Sequence, residues 1–270
     1  MRAPPTAAKS PTGWKPIPDP EGRFSTGIPD FDRLLGGGFK RGSLALFVTD
    51  ETVGLEDLDL LTFPAYLNSL YQSRGIVAIL PSRDSPHDFR ARLTHFVTRR
   101  RFDTRVRIFD YVGEDEGLSY VANMRDPDAD IDVVHPPRPD PKARKKAIAK
   151  AVAAEKAAQG ERGRPFVETV AFEVFDTLVG SENAVKLYFH GVKRTRQMGN
   201  LGIGFLAPGL GCAAAVRRMV DTEFSLRRDE VGLIIRGIRP SFPSFVVTGD
   251  VAAGPPHVVF VPRPTEKEAA

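Results

Sequence analysis

At 270 residues, 41% of them hydrophobic, the chain is long enough for one large core or for one domain with appendages. A single cysteine, Cys212, excludes an internal disulfide, and the histidines show no zinc-ligand spacing. The net charge of +4 is modest, no apolar run reaches the roughly 20 residues that span a bilayer, and the start lacks a signal-peptide core. A cytoplasmic protein without membrane contact is therefore expected.

Residues 1–22 hold six prolines and little apolar periodicity, which predicts a flexible or extended arm. Trp14, the sole tryptophan, lies in it, either as a packing anchor on its own domain or as a hook for a partner. From residue 23 to 262 strands and helices alternate. Strands are predicted at 43–49, 75–81, 105–111, 169–176 and 201–207, and helices near 28–35, 63–73, 86–100, 141–158 and 182–198. Continuously apolar strands between helices imply a parallel sheet covered on both faces. Pro64 is read as the first turn of the helix near Phe63. Helix 86–100 opens on Ser85 as cap and Pro86, and its last turn carries Arg99, Arg100 and Arg101, where cations suit the helix dipole. Residues 113–140 read as a long loop, followed by an Ala/Lys-rich helix over 141–158 that includes Lys145 and Lys146. His190 on helix 182–198 reads as a packed or surface histidine, because no nucleophile motif accompanies it. Segments 221–228, 231–237, 244–248 and 257–261 have antiparallel spacing, and 263–270 reads as a disordered tail.

Four pieces of the chain, in order, carry a resemblance. Ser25-Thr26-Gly27-Ile28-Pro29 through Asp32, Leu34-Leu35-Gly36-Gly37-Gly38 and Gly42-Ser43 resembles the opening motif of the KaiC-like branch of the RecA superfamily. Gly75 to Pro86 is similar to that family's second strand, and Phe172 to Leu178 resembles its Walker B strand. Met219 to Gly237, with Asp221, Phe224 and Leu226, resembles its closing hairpin. The resemblance implies a RecA-like three-layer α/β/α domain with a mainly parallel central sheet and an antiparallel C-terminal extension.

The residues that would hold a nucleotide are largely missing. In the loop Thr49 to Asp57 only Gly54 survives; Leu55 stands at the Walker A lysine and Glu56 at the magnesium hydroxyl. Arg83 corresponds to the catalytic glutamate, with Asp84 beside it, and Ile234 to the first basic residue of the closing motif, leaving Arg236. Asp176 alone keeps its implied role as the magnesium carboxylate. A triphosphate over this loop is expected to face Asp50, Glu51, Glu56, Asp57 and Asp59, with no lysine or arginine between residues 42 and 73. One like-charge contact at about 4 Å costs on the order of 4 kcal/mol at an effective dielectric near 20, against roughly 0.3–2 kcal/mol from a helix terminus. The length of chain before a helix at Phe63 further implies a rebuilt anion nest.

Three functional readings follow. The first is a pseudo-ATPase that regulates or scaffolds through self-association or a partner, with no cofactor expected. The second is a basic nucleic-acid-associated protein, motivated by the eight arginines of residues 83–107 and by Lys145 and Lys146. The third is an atypical ATPase that takes ATP and magnesium in a different pose. Arg99, Arg100, Arg101, Lys145, Lys146 and Arg236 are the candidate interface or nucleic-acid contacts. The resemblance implies signalling, clock-like timing, gas-vesicle regulation or motility switching, and no residue chooses among these.

Overall fold

The computed structural model describes residues 12–111, 118–121, 133–134, 166–250 and 256–263. The predicted helix 141–158 with Lys145 and Lys146, residues 1–11, most of the 113–140 loop and the 264–270 tail lie outside the described residues. In chain order the elements are β1 (Arg23–Phe24), α1 (Pro29–Leu34), β2 (Phe39–Lys40), β3 (Ser43–Val48), α2 (Leu55–Tyr71), β4 (Ile76–Ile79), α3 (Pro86–Thr94) and α4 (Arg99–Arg105). Then come β5 (Val106–Tyr111), β6 (Leu118–Val121), β7 (Val133–Val134), β8 (Val167–Ala171), α5 (Phe172–Val179), α6 (Ser181–Met198), β9 (Leu201–Leu206) and α7 (Ala213–Met219). Strands β10 (Thr222–Asp229), β11 (Gly232–Arg239), β12 (Phe242–Asp250) and β13 (His257–Pro262) close the chain.

One sheet runs β13-β12-β11-β10-β3-β9-β8-β4-β5-β6-β7 among the described residues. Strands β10, β3, β9, β8, β4 and β5 are parallel. The antiparallel extension expected at the C-terminus is present as β10–β13, and β6 and β7 add a second antiparallel edge after β5. Strands β3 and β9 are buried along almost their whole length, as parallel strands with two covered faces must be. On one face Ala45, Phe47, Ile203, Phe205 and Phe224 pack with α1, α2 and α3. On the other, Leu44, Leu46 and Leu206 pack with Phe172, Tyr188, Val192 and Val216. Gly202 and Gly204 permit that second layer, since a Cβ on either would come within 2.7 Å of Leu44 or Phe172.

The opening motif is a folding device. Asp32 accepts from Ser25 Oγ at 2.5 Å and from the Thr26 N–H at 2.7 Å, while its carbonyl takes the Gly37 N–H at 2.7 Å. Gly38 has a positive φ of 94°, and a Cβ there would strike the Phe24 carbonyl, so the turn that joins α1 to β2 needs glycine.

Five expectations are corrected. The helix after β3 begins at Leu55 rather than near Phe63, and Pro64 lies in its interior. The strand predicted over 169–176 ends at Ala171, and Phe172–Val179 is helix α5; a short continuous apolar run does not separate a buried strand from a buried helix. The predicted helix 86–100 is two helices, α3 and α4, each with its own side-chain cap from Ser85 and Thr98. Arg99, Arg100 and Arg101 therefore occupy the first turn of α4, the end where the dipole disfavours cations. The arm is anchored from residue 14 onward. Trp14 is buried, Ile17 exchanges backbone hydrogen bonds of 2.7 and 3.0 Å with the Asn68 side chain, and Asp19 pairs with buried Arg74 at 2.5 Å. Helix α7 has no counterpart in the sequence prediction.

Candidate functional site

The C-terminal ends of β3, β4, β8 and β9 meet at an open cleft of about 340 Å³, lined by Thr49, Asp50, Glu51, Arg83, Glu173 and Phe205 among others. A cleft at this end of a parallel sheet is where ligands of α/β folds bind. Thr49 to Val53 link β3 to α2, so the strand–loop–helix frame has the length of a phosphate-binding loop, and the expected longer connection is absent. Thr49 is tied to β9, its N–H donating to the Leu206 carbonyl at 3.0 Å.

The chemistry of the frame is self-contained. Gly54 caps α2 in an extended conformation, Leu55 begins the helix and Glu56 follows, exposed. The Gly54 N–H donates to Asp57 Oδ2 at 2.9 Å, so a carboxylate of the same helix sits where an anion would be drawn to the helix terminus. Asp57 Oδ1 is ion-paired to the guanidinium of Arg228, which comes from β10, and the Arg228 N–H donates to Thr52 Oγ1 at 2.7 Å. Asp50 accepts from both the N–H and the hydroxyl of Thr52. Arg83 reaches back across the cleft and donates to the Val53 carbonyl at 2.9 Å.

Below the loop lies a charged triad. Arg92 of α3 donates to Asp84 at 3.0 and 2.7 Å and through Nε to Asp59 at 2.7 Å. Both carboxylates are buried, so one guanidinium serves two acids. Burial pushes the Asp59 carboxyl up to about 7, against the lowering effect of Arg92 and with smaller raising contributions from Asp84 and Glu56.

The expectation that Asp57 and Asp59 face a bound phosphate is thus overturned: both turn inward onto arginines delivered by distant elements, leaving Asp50, Glu51 and Glu56 exposed at the loop. Asp176 is also relocated. It lies on α5, accepts from Ser181 Oγ at 2.6 Å, and stands beside Cys212, whose thiol burial and then the Asp176 charge push up to about 11. Glu173, one turn earlier, lines the cleft and accepts from the Ser82 N–H at 3.4 Å. Sequence reasoning missed Arg92 and Arg228 as site residues. The available signal for Asp57 was its place three residues after Gly54, from which a carboxylate reaches back to the amide that starts the helix.

Most arginines of the basic stretch 83–107 are held by partners within the domain, although only Arg90 is buried. Arg90 pairs with Asp103 at 3.1 Å, Arg105 donates to the Ser73 carbonyl at 2.6 Å, and Arg107 to that of Asp103 at 2.9 Å. Arg101 lies over the Tyr71 ring at 4.2 Å, while Arg99 and Arg100 are exposed. Arg236 is exposed on β11, opposite Ser225 and Ser244. Most of the charge that motivated the nucleic-acid reading over 83–107 is thus engaged in contacts within the domain. No helix among the described residues is long and apolar enough to cross a membrane.

The family described as GvpD basic region 2 matches residues 13–139. Protein GvpD2 of Halobacterium salinarum is 24% identical over 253 residues, covering 91% of this chain and 48% of its own length. Protein GvpD1 of the same organism is 33% identical over 101 residues, 37% of this chain and 19% of that protein. The chain thus spans at most about half the length of these curated relatives. A KaiC-like protein from the hyperthermophile Pyrococcus horikoshii superposes with a TM-score of 0.57 over 89% of this chain and 99% of that one, at 13% identity. With the six-stranded parallel core, the antiparallel extension and the loop frame after β3, the chain has a KaiC-like fold.

Proposed function

We propose that this chain is a pseudo-ATPase: a RecA-like domain that acts as a regulatory or scaffolding protein through contacts with itself or a partner, without hydrolysing ATP. The observation that supports this reading is Asp57, whose carboxylate takes the Gly54 N–H at 2.9 Å and the Arg228 guanidinium at the helix end a phosphate requires. Phosphoryl transfer depends on cations placed around the phosphates. Here Leu55 and Glu56 supply none, Arg83 is held by the Val53 carbonyl, and Arg92 by Asp59 and Asp84. No cofactor belongs to this reading. Among the regulatory settings that the resemblance implies, the likeness to GvpD proteins favours gas-vesicle regulation. Isothermal titration with ATP and magnesium tests the reading: no heat of binding is expected, and micromolar affinity with turnover would overturn it. Mass photometry of the chain with and without candidate partners tests the contacts.

A further inference from the structure

The face of the sheet opposite α2 carries a surface that the cleft does not account for. From residue 181 to 220 the chain has Lys186, Lys193, Arg194, Arg196, Arg217 and Arg218 against one carboxylate, Glu182. Helix α6 buries Ala184, Tyr188, Val192 and Thr195, one stripe of its surface, toward β3 and β9. That phase turns Lys186, Phe189, His190 and Lys193 outward, and all four are exposed.

Some of the charge has local causes. Arg196 lies in the last turn of α6, at the negative end of the dipole, and pairs with Asp221 at 3.3 Å. Arg217 pairs with Glu223 at 2.5 Å. Lys186 pairs with Glu182 at 2.6 Å, but both are strongly exposed, and such a pair yields easily to a competing carboxylate.

Phe189 has no such cause. It is 57% exposed, and its ring meets only that of His190 among the described aromatic residues, at 6.1 Å. Phenylalanine is a weaker helix former than the lysines and glutamates that suit an outer helix position. Leaving its ring in water forgoes the stabilisation that burial of an aromatic side chain provides. An aromatic side chain flanked by lysines is the layout of an interface anchor: the ring fills an apolar contact and the neighbouring charges select the partner's sign.

We propose that the outer face of α6 docks an acidic protein segment that bears an apolar side chain, with Phe189 as the anchor and Lys186 and Lys193 as the charges around it. Charge complementarity fixes the sign of the partner. A single ring on one helix face does not supply the succession of stacking platforms along a groove by which single strands of nucleic acid are held. Since α6 packs on the sheet face opposite α2, this docking is independent of what the cleft binds.

Fluorescence anisotropy of the full chain with a labelled glutamate-rich peptide carrying spaced leucines, and in parallel with a single-stranded oligodeoxynucleotide of equal charge, tests the assignment. The peptide is expected to bind at low salt and to weaken as salt rises. Phe189→Ala should lower its affinity about tenfold, and Lys186→Glu with Lys193→Glu should abolish it, with unchanged circular dichroism. Equal peptide binding by the wild type and these variants, preference for the oligonucleotide, or self-association that buries Phe189 would each overturn it.

Discussion

Arg92 grips Asp84 with both terminal nitrogens, at 3.0 and 2.7 Å, and holds Asp59 through its third nitrogen at 2.7 Å. The two carboxylates come from different places, Asp59 from α2 and Asp84 from the turn after β4, so Arg92 joins three elements beneath the loop. Replacing it by methionine leaves two buried acids without their cation. Arg92→Met is expected to lower stability by about 3–5 kcal/mol, the range for breaking a buried pair. Urea denaturation at pH 8 measures it, and a loss under 1 kcal/mol would show that water screens the triad.

The same triad predicts a pH dependence. A carboxyl held near 7 in the fold and near 4 in the unfolded chain binds its proton more tightly when folded. The stability it contributes is therefore fully present below about pH 4, falls as pH rises toward 7, and is constant above that. The span is on the order of 4 kcal/mol. Asp59→Asn should flatten this component and make the protein more stable than wild type at pH 8, as read from urea midpoints across the pH range.

Asp57 can be tested as an internal occupant of the anion position. Leu55→Lys with Glu56→Thr restores the missing lysine and hydroxyl but leaves the carboxylate on the Gly54 N–H. Adding Asp57→Ala to that pair should tighten ATP–magnesium binding about tenfold or more, because the helix terminus then faces the phosphate. Titration calorimetry distinguishes the double from the triple variant, and identical affinities would mean that Asp57 does not compete.

The N-terminal arm offers an optical handle. Asp19 and Arg74 are both more than 90% buried as a pair, and Trp14 is the sole tryptophan. Asp19→Ala should cost about 3–5 kcal/mol by removing the carboxylate that faces buried Arg74, and should shift Trp14 emission to the red as the arm loosens. Unchanged emission would mean that Trp14 and the Ile17–Asn68 hydrogen bonds hold the arm without Asp19.

Much of the architecture was legible, and the reasons for the misses are specific. Strand β3, strand β9 and helix α6 were visible because continuous apolar runs alternate with a helical stripe. Helix α2 was placed late because a proline most often opens a helix, and Pro64 outweighed the quieter pairing of Gly54 with Asp57. Asp176 was misplaced because the run Phe172 to Val179 suits a buried strand and a buried helix equally. At the site, the acidic character of the loop was plain, but its neutralisation was not. Arg228 meets Asp57 across 171 residues of chain, and Arg92 meets Asp59 across 33. Only the assembled sheet brings those partners together, so no local pattern announces them.

The loop after β3 is clamped from outside itself, by Arg83 on the Val53 carbonyl and by Arg228 on Asp57 and Thr52. Its shape therefore belongs to the whole domain rather than to the segment. The Gly54 amide should exchange its hydrogen for deuterium only when the molecule unfolds globally, and an isolated peptide spanning β3 and α2 should not hold the turn at all.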